Sequence, residues 1–150
     1  PFFIKNKTAR VGGKGNKVEL VENNLKDSLI LVKPLGFGVS TKDAYNSFDE
    51  LDEVRYANFE KIVECLRNDN RKDLEKYIEN GLEQGISERN ADIKMFKAIL
   101  NSVVPGKKFF MSGSGSTYYT FVTEIERSQI ETRLRTFVDN VKIIISKTIN

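Results

Sequence analysis

The sequence predicts an α+β fold, a mainly antiparallel sheet with helices on one face, and three observations carry that reading. The unbroken run Leu29-Ile30-Leu31-Val32 has the length and branching of a strand buried on both faces. From Tyr56 to Val104 apolar residues recur at helical spacing. Beyond them come two strand-like runs around a Gly/Ser loop, a further helical stretch and a last strand. Strands and helices are thus segregated rather than alternating as in βαβ units.

In chain order, Phe2 to Ile4, Thr8 to Val11 and Val18 to Val21 read as short strands of a β-meander, separated by Lys5-Asn6-Lys7 and Gly12-Gly13-Lys14-Gly15-Asn16. Three such strands without a helix over them are marginal alone, so they are expected to pair with something else. Pro1-Phe2-Phe3-Ile4 reads as the middle of a strand, which predicts a fragment of a longer chain. After the polar linker Glu22 to Asp27 a second core begins at Leu29. Lys33-Pro34-Leu35-Gly36-Phe37-Gly38 breaks that strand. Ser40 or Thr41 then caps a short helix, with Asp43 placed as in a capping box and Tyr45 one turn beyond Thr41.

Phe48-Asp49-Glu50-Leu51-Asp52-Glu53 reads as a solvated connector, since no Gly turn or fixed ligand pattern frames its carboxylates for a cation. A first helix puts Phe59, Ile62, Val63 and Leu66 on one face and is interrupted by Asn68-Asp69-Asn70. A second, around Leu74, Tyr77 and Ile78, ends near Gly81 and Gly85. The third carries Ile93, Phe96, Ile99 and Leu100 and stops at Pro105-Gly106. Residues 109–123 read as strand, loop, strand. Thr123 or Ser128, each with a Glu three residues on, caps a helix carrying Ile130, Leu134, Phe137 and Val138, and Val141 to Ile145 is the final strand.

Composition bounds the function. At 150 residues, 39% hydrophobic and 30% charged, the chain can bury a sizeable core. Twenty-four Lys and Arg against 21 Asp and Glu leave +3, scattered along the chain, which is no footprint for nucleic acid or a membrane surface. The absence of histidine excludes imidazole catalysis and His-ligated metals within this chain. Cys65, the one cysteine, reads as a small core residue in a reducing, cytoplasmic setting. No apolar run reaches membrane-spanning length.

The segment Met111-Ser112-Gly113-Ser114-Gly115-Ser116-Thr117 carries the chemistry. Glycines at 113 and 115 remove Cβ atoms and permit positive φ, so that consecutive N–H groups can converge on an anion. On physical grounds alone it is equally a Gly/Ser hairpin tip.

This run resembles the third conserved motif of the GHMP kinase superfamily, and the rest of the chain resembles one branch of it, the kinases acting on 4-diphosphocytidyl-2-C-methyl-D-erythritol in non-mevalonate isoprenoid (terpenoid) biosynthesis. Lys33-Pro34, Gly38-Val39-Ser40-Thr41 and Tyr45 are similar to that branch's P, G-V-S-T, Y segment. Asn80-Gly81-Leu82-Glu83 is similar to its N-D-L-E element, and Thr8-Ala9-Arg10 with Gly15 to its hairpin after the catalytic aspartate. The order and spacing cover essentially the whole chain. Ser116 stands where the motif usually has proline, Gly81 where it has aspartate, and Leu35-Gly36-Phe37 departs from the usual approach to G-V-S-T.

The resemblance implies a ferredoxin-like C-terminal kinase domain at 25–150, preceded at 1–24 by the β-meander tail of an N-terminal domain. It implies that the catalytic aspartate, the catalytic lysine and the ATP loop lie upstream, so that ATP and Mg²⁺ serve the complete enzyme and none is bound by these residues alone. Substrate-binding positions carried over by the motifs are Thr41, Tyr45, Gly113, Ser114, Gly115 and Ser116, with Tyr45 stacking on cytosine, where residue pattern alone also allows it to pack a short helix on the sheet. The implied partners are the cytidine diphosphate-linked methylerythritol and the missing N-terminal domain. Replacing Gly115 by Val is expected to leave the fold largely intact. A stand-alone α+β ligand-binding or regulatory module, or a sister kinase for another small alcohol, remain the alternative readings.

Overall fold

A computed structural model describes residues 7–148. The first expected strand, Phe2 to Ile4, lies outside the described residues. Two antiparallel strands follow, β1 (Ala9–Gly12) and β2 (Lys17–Leu20), with Ala9 opposite Leu20. The main sheet has the order β4-β5-β3-β6 and is antiparallel throughout. Its strands are β3 (Ser28–Pro34), β4 (Phe110–Met111), β5 (Tyr118–Val122) and β6 (Val141–Lys147). The expected α+β class with a mainly antiparallel sheet is what is seen.

β3 is central, as its unbroken apolar run requires. Ile30 and Val32 are fully buried on one face with Tyr118 and Val122 of β5. Leu29 points the other way, with Tyr119 and Phe121, because successive strand residues alternate. The larger core, on the Ile30 face, is closed by α4 (Gly81–Arg89), α5 (Ala91–Val103) and α6 (Glu124–Phe137) through Ile86, Ile93, Phe96, Leu100, Ile130 and Leu134. A smaller cluster on the opposite face adds Cys65 of α2 (Phe59–Arg67) and Leu74 of α3 (Arg71–Tyr77), so helices cover both faces of the sheet and not the single face expected, because β3 and β5 are apolar on both sides. The first helix, α1 (Thr41–Asp49), lies against α4.

Helix starts follow side-chain chemistry closely. Asn58, Asn70, Asn80 and Asn90 cap α2, α3, α4 and α5, each accepting a backbone N–H through its side chain. Ser40 caps α1, and Thr123 with Glu126 forms a full capping box on α6, while Ser128 lies inside that helix.

Gly81 and Gly85 correct the expected helix boundaries. They do not end α3, which stops at Tyr77; they belong to a separate helix, α4. A Cβ at Gly85 would stand 2.6 Å from backbone atoms of Ser47 and Phe48. This glycine is there to let α1 and α4 approach, a packing requirement that in sequence looks like a breaker. Phe137 and Phe59, read as core, are 64% and 50% exposed. Phe59 instead lies under the Arg10 guanidinium, 5.5 Å from its ring centre, where hairpin and α2 meet.

Candidate functional site

The Gly/Ser loop joins β4 to β5 and is closed by its own backbone: Ser112 N donates to Thr117 O at 2.8 Å and Gly115 N to Ser112 O at 3.0 Å. Gly113 and Gly115 have φ of +58° and +90°, the left-handed region that glycine adopts without a Cβ penalty. The N–H groups of Gly113, Ser114 and Ser116 engage no acceptor among the described residues. The peptide between Gly115 and Ser116 is cis.

Three segments far apart in sequence converge on this loop. Thr41 Oγ1, at the first turn of α1, lies 3.0 Å from Ser114 Oγ, and either hydroxyl can donate. Ser116 is buried, and its Oγ faces Phe37 O at 3.5 Å, the outer limit of hydrogen bonding. Asn80 Nδ2 donates to Met111 O at 2.8 Å and to Gly113 O at 2.9 Å, while its Oδ1 caps α4 by accepting from Leu82 N and Glu83 N. One turn on, the buried Glu83 accepts from Met111 N at 3.0 Å through Oε2 and pairs with Lys97 Nζ at 2.5 Å through Oε1. The Tyr118 hydroxyl is buried beside this carboxylate without meeting a partner at hydrogen-bonding geometry. Burial, then the Glu83 charge, pushes its pKa upward.

The sequence-predicted residues therefore divide. Thr41 and Ser114 touch, and Gly113, Gly115 and Ser116 share the loop. Tyr45 is 55% exposed and lies one turn beyond Thr41 on the same side of α1, since residues four apart share a helix face. Gly115 corrects one expectation: a Cβ there would fall 2.7 Å from Met111 Sδ, on a backbone at φ +90°, so Val is not a mild probe. Gly113 has open space at the same point. At Gly81, where the resembling motif has aspartate, a Cβ would meet the Phe48 ring at 2.6 Å, so glycine here accompanies a bulky neighbour from α1.

Asn80 and Glu83 were legible as a motif but not as contacts of the loop. Their signal was the Asn-x-x-Glu spacing at a helix start, which puts both side chains on the first turn. Behind them lies a cleft of about 840 Å³ whose lining includes Asn80, Glu83, Lys94, Lys97 and Lys108. Thr41, Tyr45 and residues 113–116 do not line it, and its lining mixes acidic and basic side chains.

Among the described residues no grouping of acidic or cysteine side chains has the make-up of a metal centre, and no helix is long and apolar enough to cross a membrane.

No family model matches the chain. A 4-diphosphocytidyl-2-C-methyl-D-erythritol kinase of Fusobacterium nucleatum is 76% identical over all 150 residues, which make up 51% of that relative. A crystal structure of 4-(cytidine 5'-diphospho)-2C-methyl-D-erythritol kinase superposes with a TM-score of 0.72 at 20% identity, over 98% of this chain and 52% of the other. Homoserine kinase from Cytophaga hutchinsonii superposes with a TM-score of 0.66 at 17% identity, over 89% of this chain and 45% of the other; at such identities the likeness is one of fold. The chain thus spans about half the length of the curated relatives it matches. Along its whole length this chain is similar, at three-quarters identity, to about half of a 4-diphosphocytidyl-2-C-methyl-D-erythritol kinase, and the segments that carry the likeness gather around one loop.

Proposed function

We propose that this chain is the C-terminal, acceptor-binding half of a kinase that transfers a phosphoryl group from ATP to 4-diphosphocytidyl-2-C-methyl-D-erythritol. The observation that carries the reading is the Thr41–Ser114 contact, which joins the G-V-S-T segment and the Gly/Ser loop into one surface. Phosphoryl transfer needs positioning and charge neutralisation more than covalent chemistry from the protein. The unengaged amides of Gly113, Ser114 and Ser116 offer donors to an anionic acceptor, and Tyr45 offers a ring to its cytosine. The described residues supply no metal centre, and the reading leaves ATP, Mg²⁺ and the proton-accepting group to residues preceding Pro1. Residues 1–24 then belong to an N-terminal domain and 25–150 to the C-terminal one, working in the cytoplasm.

The test is an acceptor panel with the full-length protein. ADP release is expected with the cytidine diphosphate-linked methylerythritol and not with homoserine or phosphomevalonate. Turnover of either of those at a matching kcat/KM, or none with the cytidine compound, overturns the reading.

A further inference from the structure

Loops rich in glycine have many accessible conformations, and holding one of them costs entropy that must be offset by contacts. The loop's own two hydrogen bonds close its neck, between Ser112 and Thr117 and between Ser112 and Gly115. Its placement on the domain is set elsewhere. Both backbone groups of Met111 and the carbonyl of Gly113 are held by side chains of the first turn of α4, through Asn80 Nδ2 and Glu83 Oε2. Glu83 is 7% exposed, and its second oxygen is taken by Lys97 from α5. A buried carboxylate held on both oxygens is fixed, because freeing either one leaves a charge unsolvated.

We propose that Asn80 and Glu83 are positioning residues that fix the Gly113–Ser116 loop in its acceptor-binding conformation, with Lys97 holding Glu83 in turn; this rests on the reading of the loop as an acceptor site. The first turn of α4 does two tasks with one residue. Asn80 Oδ1 builds the helix and Asn80 Nδ2 holds the loop, so the two roles separate by one atom.

Asn80→Asp exploits that separation. Aspartate caps a helix as well as asparagine does, but it has no Nδ2 to donate to Met111 O and Gly113 O. In the full-length protein the expected result is hydrogen exchange at amides 112–116 faster by about tenfold, with α4 amides unchanged. Acceptor KM is expected to rise about tenfold while ATP KM stays within about twofold. Glu83→Gln, which keeps an acceptor for Met111 N–H, is expected to restore most of the acceptor KM lost in Glu83→Ala, although both lose the Lys97 ion pair. Unchanged loop exchange in Asn80→Asp overturns the proposal, as does an ATP KM that rises in step with the acceptor KM. A wild-type protein that fails to phosphorylate the acceptor counts against the proposed function alone, since loop exchange still decides whether the tether exists.

Discussion

Thr41 and Ser114, 73 positions apart, meet hydroxyl to hydroxyl at 3.0 Å on an exposed edge of the domain. Water competes for both groups there, so their bond adds little to stability, about 0.5–1 kcal/mol. Thr41→Val and Ser114→Ala are expected to melt near wild type but, on the proposed function, to raise acceptor KM in the full-length protein. A double-mutant cycle should give a coupling free energy in acceptor binding, and strictly additive effects would separate the two residues functionally.

The two loop glycines are expected to differ. Both sit at positive φ, where an alanine costs about 1–2 kcal/mol. Gly113 faces open space, whereas a Cβ at Gly115 must displace the buried Met111 side chain. Gly115→Ala is therefore expected to unfold at clearly lower urea concentration than Gly113→Ala. Equal midpoints at equal slope would mean that Met111 yields freely.

How much of this was readable in the sequence follows from what each residue contacts. Local chemistry was legible: the β3 run, the Thr123 capping box and the Gly/Ser turn all express short-range rules. Gly85 was not, because its reason is the α1 backbone 2.6 Å from where a Cβ would stand, nearly forty positions away. Phe59 and Phe137 kept helical spacing yet stayed exposed, since periodicity marks a face without saying whether anything covers it. In the site, the motif segments were recognisable, but Asn80 reaching Gly113 O and Ser116 facing Phe37 O are tertiary facts.

The acid limb of stability should depend on Glu126. Burial pushes this carboxyl upward, but hydrogen bonds from Lys107 and Thr123 outweigh it and hold the pKa at about 2, against an ordinary 4.5. The unfolded chain therefore takes up this proton first. Its contribution is complete above about 4.5 and is lost as pH falls through 4.5 toward 2. Asp27 and Glu75 pair with Arg71, whose guanidinium also reaches Glu126 at 3.3 Å, but both are raised mainly by desolvation, so acid relieves rather than harms them. Glu126→Gln is expected to be less stable than wild type near neutrality and to converge with it in acid. A constant difference across that range in urea unfolding would rule out the linkage.

Residues 1–150 alone are expected to release no ADP from ATP in the presence of the cytidine acceptor. The reading assigns nucleotide binding and proton acceptance to the preceding half, and positioning without them gives no transfer. A coupled ADP assay checks it, and acceptor-dependent turnover by this piece would move part of the catalytic machinery into the described residues.

Tyr45 gives the most direct test of the acceptor's identity. Its ring is 55% exposed and pairs with no other aromatic ring among the described residues, so truncating it should change stability by no more than about 0.5 kcal/mol. If it stacks on cytosine, Tyr45→Ala forfeits about 1–3 kcal/mol of acceptor binding, roughly 5- to 150-fold in Kd. Tyr45→Phe keeps the π-face and should bind nearly as wild type. ATP affinity should stay within about twofold, because the nucleotide is assigned to the other half. Titration calorimetry of both ligands with the full-length protein separates the cases. Equal losses for acceptor and ATP would make Tyr45 a general packing residue, and a loss shared by Tyr45→Phe would point to its hydroxyl instead.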